Sequence, residues 1–311
     1  MLGPIAADAP SRVHRLWLIG GTGEAVALAS ALAQREIPCL VTVTTATASQ
    51  AYADLLGVTV RVGTLPPDAL ADFIHTQSIG AILDASHPFA VEISQAAMAQ
   101  AAARDLPYWR YERPLSADGD VRAAAPWDVG SSASPNPADP GVSAPDPTAL
   151  QRPGPPLRVP DLAAALRPDI LAGQRVLLTL GYRWLAAFRP WQEQATLFAR
   201  ILPSPVALEA ALEAGFLPER LIALRPPIGE PLEQALWQQW GITTVITKAS
   251  GQPGGEETKR RVAARLGGML VVIDRPRLVY PVVLQSLEET VAHCDQWWQG
   301  QKSSSTSEFI R

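Results

Sequence analysis

Residues 15–25 read Arg15-Leu16-Trp17-Leu18-Ile19-Gly20-Gly21-Thr22-Gly23-Glu24-Ala25, and the fold follows from them. Arg15 to Ile19 is a short apolar run stopped by glycines, which reads as a buried strand. Ala25, Leu28, Ala29 and Leu32 then recur at helical spacing. A strand, a glycine turn and a helix together present backbone N–H groups to an anion. The glycines permit a tight turn and close approach, and the helix N-terminus favours negative charge. The spacing is not the full G-x-G-x-x-G, so the segment reads either as a phosphate-binding turn or as a tight turn without a ligand. Its place after the first strand of a βα series favours a nucleotide. Glu24, in the first helical turn, complements the helix dipole and would repel a phosphate if it pointed inward.

Outward from this turn the same alternation repeats. Strand-like runs occupy Cys39 to Thr45, Val58 to Val62, Ala81 to Asp84 and Tyr108 to Tyr111, with helices marked by Leu70, Phe73 and Ile74 and by Phe89 to Arg104. It resumes at Arg175 to Thr179, Leu197 to Leu202, Leu221 to Leu224, Thr243 to Thr247 and Met269 to Ile273, and a last helix runs from Ser286 to Trp298. Strands alternating with helices imply βαβ units and a parallel sheet. Between the halves, residues 116–160 are rich in Pro, Ala, Ser, Gly and Asp. They bury too little to offset their ordering entropy and read as a disordered insertion, or as a lid. The fold expected is α/β, with two Rossmann-like domains, mainly parallel sheets and a ligand cleft between them. The expected division is a tail at 1–14, a nucleotide-binding domain at 15–115, an insertion and linker at 116–172, a second α/β domain at 173–300 and a disordered tail at 301–311.

Composition narrows the function classes. Hydrophobic residues make up 47% of the 311 residues, ample for packed cores. The formal charge of -4 argues against a nucleic-acid binder. No apolar run is long enough to span a membrane, and the first residues do not resemble a signal peptide, so a cytoplasmic protein is expected. Cys39 and Cys294 form neither a disulfide framework nor a CxxC pair and read as buried thiols. His14, His75 and His293 are scattered, and no cluster has metal-ligand spacing.

Two further segments carry chemistry. About 20 residues past the glycines an NAD-binding fold usually places an acid for the ribose hydroxyl. Here Thr42, Thr44 and Thr45 stand instead. Hydroxyls suit a 2′-phosphate, so NADP is favoured over NAD; Arg61 is the nearest basic residue after that strand. Asp84-Ala85-Ser86-His87-Pro88-Phe89-Ala90 ends a strand and begins a helix. The proline biases His87 away from α geometry, so its side chain projects from the strand's carboxyl end, where open α/β sheets bind ligands. His87 reads either as a structural cap or as a functional group, and Asp84 equally as structural. In the second half Lys248-Ala249-Ser250-Gly251-Gln252-Pro253-Gly254-Gly255 forms another anion-ready turn, with Lys259 one turn into the next helix. Lys248 reads as an anion partner or as a solvated lysine.

Taken in order, these residues resemble the precorrin-6A reductase and cobalt-precorrin-6A reductase family of corrin biosynthesis. The resemblance rests on Gly20-Gly21-Thr22-x-Glu24, Val43-Thr44-Thr45, Asp84 to Ala90 with Ile93-Ser94, and Tyr111-Glu112-Arg113-Pro114. It continues through Thr179-x-Gly181, Ala199-Arg200-Ile201-Leu202-Pro203, Thr247 to Gly251, Gly254-Gly255, Lys259 and Arg275-Pro276. It implies reduction by NADPH of one carbon–carbon double bond of a tetrapyrrole, metal-free or cobalt-bound, with no metal of the enzyme's own. Gly20, Gly21, Thr22, Gly23, Glu24, Thr44 and Thr45 would then hold the cofactor. His87, supported by Ser86, would orient or donate the proton. Arg113, Thr179, Gly181, Arg200, Lys248, Ser250, Gly251, Gly254, Gly255 and Arg275 would hold the substrate, whose many carboxylates explain arginine clamps. A monomer is expected, handing its product on to other corrin-pathway enzymes. Ala249 stands where the family often has Asp, Pro226-Pro227 where it has Gly-Pro, and Ser86 where it has Thr. Other readings are a different NADP-dependent reductase on this scaffold, or a nucleotide- or tetrapyrrole-binding module without catalysis.

Overall fold

The computed structural model describes residues 14–112, 155–251 and 254–308. Their strands, in chain order, are β1 Arg15–Ile19, β2 Cys39–Val43, β3 Val58–Val62, β4 Ile79–Asp84, β5 Tyr108–Tyr111, β6 Leu157–Val159, β7 Arg175–Leu178, β8 Thr196–Ile201, β9 Leu221–Ala223, β10 Thr244–Lys248, β11 Met269–Ile273 and β12 Val283–Leu284. The helices are α1 Gly23–Gln34, α2 Ala46–Ser49, α3 Leu70–Thr76, α4 Val91–Ala102, α5 Pro168–Leu171, α6 Pro205–Glu213, α7 Glu230–Gln239, α8 Glu256–Leu266 and α9 Leu287–Glu308.

Two compact units result. The first takes residues 14–112 and resumes at Arg277; the second holds 155–276. Each carries a six-stranded sheet, ordered β12-β5-β4-β1-β2-β3 and β6-β11-β10-β7-β8-β9. All the strand pairs are parallel. The α/β class with parallel sheets expected from the alternating pattern is therefore the fold observed. The central strands β2 and β4 are buried along their whole length, as strands covered on both faces must be. Period-two alternation divides the first unit's core into two layers. Leu16 and Leu18 pack with Leu28, Leu32, Cys39, Cys294 and Trp298 on the α1 and α9 side. Trp17 and Ile19 pack with Phe73, Ile74, Ile82 and Ala97 on the α3 and α4 side.

Three boundaries differ from the sequence expectation. Strand β6 and helix α5 lie within the stretch read as insertion and linker. Only three residues of β6 extend along β11, too short a run to show periodicity against its proline-rich flank. The end of the chain, assigned above to the second half, rejoins the first unit. Strand β12 pairs with β5, and α9 packs against α1. Finally, α9 runs on to Glu308 through the serines expected to fray, whose helix penalty is only tenths of a kcal/mol each. Among the described residues no helix is long and apolar enough to cross a membrane. Both cysteines are buried and unbridged; burial pushes the Cys39 thiol up to about 12, and the Cys294 thiol up as well.

Candidate functional site

In the first sheet β1 runs on to β2 and β3 on one side, while β4 and β5 lie on the other. The order therefore reverses between β1 and β4, and ligands of open parallel sheets bind outside the carboxyl ends of the strands at such a point. Ile19 and Asp84 are register partners there, so the glycine turn after β1 and the Ser86-His87-Pro88 turn after β4 stand side by side. Backbone bonds run from Gly20 N–H to Thr42 O (2.9 Å) and from Ala85 N–H to Ile19 O (3.1 Å). Thr22 caps α1, its hydroxyl accepting from the Ala25 N–H and donating to Ala85 O at 3.0 Å. The proton of that hydroxyl ties the two turns together. Thr22, Glu24, Ala85, Ser86, Pro88, Arg110 and Tyr111 line a shallow cleft here.

The glycines of the turn differ in what they face. A Cβ on Gly20 would meet Tyr52 Oη at 2.8 Å, Val41 Cγ1 at 2.9 Å and Thr42 O at 3.3 Å. Gly21 has a φ of +101°, and a Cβ on Gly21 or Gly23 would meet nothing within 4 Å. The inner glycine lets the turn lie on the sheet, and the outer two open to solvent at the N-terminus of α1. Tyr52, which the sequence reading did not single out, is buried beneath the turn with its hydroxyl 3.4 Å from the Gly21 N–H. Burial raises its pKa, so it stays a neutral phenol. Thr44 and Thr45 are exposed beyond β2, Thr45 capping the short α2.

His87 is exposed, and its Nδ1 accepts the Phe89 N–H at 3.2 Å. In the neutral ring the proton then sits on Nε2. Beneath it lies a buried polar cluster. The Asp84 carboxylate, 0% exposed, accepts from the Ser86 N–H (2.9 Å), Ser94 Oγ (2.6 Å), Tyr108 Oη (2.6 Å) and Arg110 Nη1 (2.9 Å). Arg110, 1% exposed, also donates from Nη1 to Ser86 Oγ at 3.2 Å and from Nε to Glu112 Oε2 at 2.9 Å, and lies over the Tyr280 ring. Burial opposes its charge, but the Asp84 and Glu112 carboxylates outweigh that and raise its pKa. Burial and the neighbouring Asp84 push the Tyr108 phenol well up, so it only donates. Tyr108 and Arg110 alternate on β5, and a strand of the form Tyr-x-Arg beside a strand ending in Asp is the signal that points to them.

The second sheet reverses between β7 and β10. Lys248 ends β10, Thr179, Gly181, Ser250 and Gly251 follow those two strands, and Arg275 follows β11 with its Nε on Ala249 O at 2.9 Å. Lys248 Nζ lies 3.9 Å from the centroid of the Trp184 ring, and burial, with Arg183 nearby, lowers its pKa to about 8. The turn before α8 is less open than its sequence implies. The Gly251 N–H is taken by Glu256 Oε2 (3.2 Å), the carbonyl of Gly254 by Lys259 Nζ (2.7 Å), and Gly254 packs on the Ser250 side chain. Glu256, at the head of α8, thus occupies the place an anion would take. Arg200 is buried, with Nη1 at 2.5 Å from Glu233 Oε2. Its charge is met in the interior. Arg113 lies outside the described residues.

Lys259 is buried, and burial, with Arg200 nearby, lowers its pKa to about 8. Between pH 8 and the ordinary value of 10.5 the unfolded chain therefore binds more protons than the folded one at Lys248 and Lys259. Stability rises with pH across that window, by at most about 1.4 kcal/mol per pH unit for each lysine. In urea titrations at several pH values, Lys259→Met gives a shallower rise than the parent. Equal slopes would show that Lys259 keeps its ordinary pKa.

The family described as Precorrin-6x reductase CbiJ/CobK matches residues 15–295. A cobalt-precorrin-6A reductase of Synechocystis sp. is 42% identical over 284 residues, covering 90% of this chain and 96% of that protein. A precorrin-6A reductase of Rhodococcus erythropolis is 32% identical over 266 residues, covering 85% and 90%. Among solved structures, CobK precorrin-6A reductase superposes with a TM-score of 0.64 at 26% identity, covering 93% of this chain and 97% of that one.

Proposed function

Because the chain belongs to the precorrin-6x reductase family, as an oxidoreductase that reduces precorrin-6A in cobalamin biosynthesis, we propose that NADPH is its reductant and that the paired turns after β1 and β4 hold it. The observation that carries this reading is the open glycine turn, set beside Ser86 and His87 where the first sheet reverses its order. The cofactor, when bound, supplies the hydride. The chain's residues bind, orient and shield. The outer glycines and the N-terminus of α1 suit the pyrophosphate. Glu24, a carboxylate in the cleft lining, suits hydroxyl or amide donors of the dinucleotide and repels its phosphates. Thr44 and Thr45 offer hydroxyls to a 2′-phosphate, and no acid at that position opposes it.

Substrate carboxylates fall to Lys248 and Arg275, with backbone N–H groups near Thr179 and Gly181. Proton delivery falls to His87, which in its neutral form carries its proton on Nε2 because Nδ1 accepts from the Phe89 N–H. His87→Ala lowers kcat by about 100-fold or more and removes one limb of the pH–rate profile. Full turnover with an unchanged profile would eliminate the acid role.

The test of the whole reading is one assay with purified protein, precorrin-6A or its cobalt form, and NADPH or NADH. Nicotinamide oxidation coupled to a change in the macrocycle spectrum, faster with NADPH, is expected. Binding without oxidation would instead indicate a carrier or sensor, and a preference for NADH would overturn the role given to Thr44 and Thr45.

A further inference from the structure

We infer that buried Arg110, anchored by Asp84, is a positioning residue that locks the Ser86 hydroxyl as a hydrogen-bond donor to an acceptor oxygen of the bound dinucleotide. The inference rests on the cofactor reading above. A serine hydroxyl ordinarily rotates to suit its neighbours and can either donate or accept. Here Arg110 Nη1 donates to Ser86 Oγ at 3.2 Å, so the oxygen is engaged as an acceptor. The hydroxyl proton finds no acceptor among the described residues, although Ser86 is only 6% exposed and lines the cleft. A guanidinium on the oxygen also draws electron density from it, which strengthens the outward O–H as a donor.

The lock is rigid because each member is held separately. Asp84 Oδ1 ties the Ser86 N–H and the Arg110 guanidinium to one atom. Its Oδ2 is fixed by Ser94 and Tyr108. Glu112 and the Tyr280 ring hold the far side of Arg110. The neighbouring hydroxyl of Thr22 has its proton on the Ala85 carbonyl and accepts from the Ala25 N–H, whereas the Ser86 proton is not used in this way. A donor fixed in this way favours a carbonyl, ring or phosphate oxygen and disfavours a second donor.

The test is a double-mutant cycle read as the Kd of NADPH, with Tm as a check on folding. Arg110→Lys keeps a charge for Asp84 but loses the fork that reaches Ser86. Ser86→Ala and Arg110→Lys each raise Kd about tenfold, the cost of one charge-assisted bond. The double variant is no weaker than either single one, and Ser86→Thr, which keeps the hydroxyl, binds as the parent does. Should Arg110→Lys fail to fold, Tyr108→Phe leaves Asp84 with three of its donors and raises Kd about threefold, an increase that disappears in the Ser86→Ala background. Additive effects, or unchanged Kd in the Ser86 and Arg110 variants while the parent binds NADPH, would overturn the lock and leave the cofactor reading standing. A parent that binds no NADPH would overturn the cofactor reading itself.

Discussion

Asp84→Ala destabilises the protein by about 3–5 kcal/mol, the cost of stranding a buried charge. The expectation follows from the partners left behind. Arg110, 1% exposed, would keep its charge with only Glu112 to meet it on the far side. Ser94, Tyr108 and the Ser86 N–H would each lose an acceptor inside the fold. Such a loss is a large fraction of a domain's total stability. Urea unfolding of the parent and variant measures it directly. A loss below about 1 kcal/mol would mean that water enters the cluster and replaces the carboxylate. Asp84→Asn keeps one oxygen and the shape, and falls between the two.

Gly20→Ala separates tight from open positions in the same turn. Its methyl would meet Tyr52 Oη, Val41 Cγ1 and the backbone oxygen of Thr42, all at 3.3 Å or less. The first two belong to buried side chains, and the third cannot move without shifting β2. Overpacking of this kind costs about 1–3 kcal/mol. The displaced turn would also carry the Gly21 N–H away from Tyr52 and out of line with a bound pyrophosphate, so the Kd of NADPH rises by roughly 30-fold or more. Gly23→Ala at the first position of α1 meets nothing and removes a flexible residue, so its stability holds or rises by up to about 1 kcal/mol. Equal stability losses for the two variants would contradict the assignment of inner and outer glycines.

How much of this was legible in the sequence depends on whether the signal was local. The glycine turn and the Ser86-His87-Pro88 turn are each written in consecutive residues, and the strands that carry them are continuous apolar runs. Their placement side by side depends on β4 pairing with β1, a strand order that the alternation does not specify. The cluster beneath them is not local. Asp84 meets Tyr108 and Arg110 across a strand pairing, and Tyr280 comes from the far side of the second unit in the sequence. The buried partner of Arg200 was illegible for the same reason, since Glu233 is supplied by another element. The turn before α8 looked open because the residues that fill it, Glu256 and Lys259, lie in the helix that follows. Strand β6 was too short to show a period.

The return of the chain to the first sheet has a consequence for synthesis. Strand β12 and helix α9 are made after all of residues 155–276, so the sheet that carries the glycine turn is still missing an edge strand when the second unit is already complete. During translation the second unit can close on its own. The first must wait, with the faces of α1 and β5 that α9 and β12 will cover left open until the last segment leaves the ribosome. The sheet that carries the proposed nucleotide site is therefore completed only after residues 155–276 have been made.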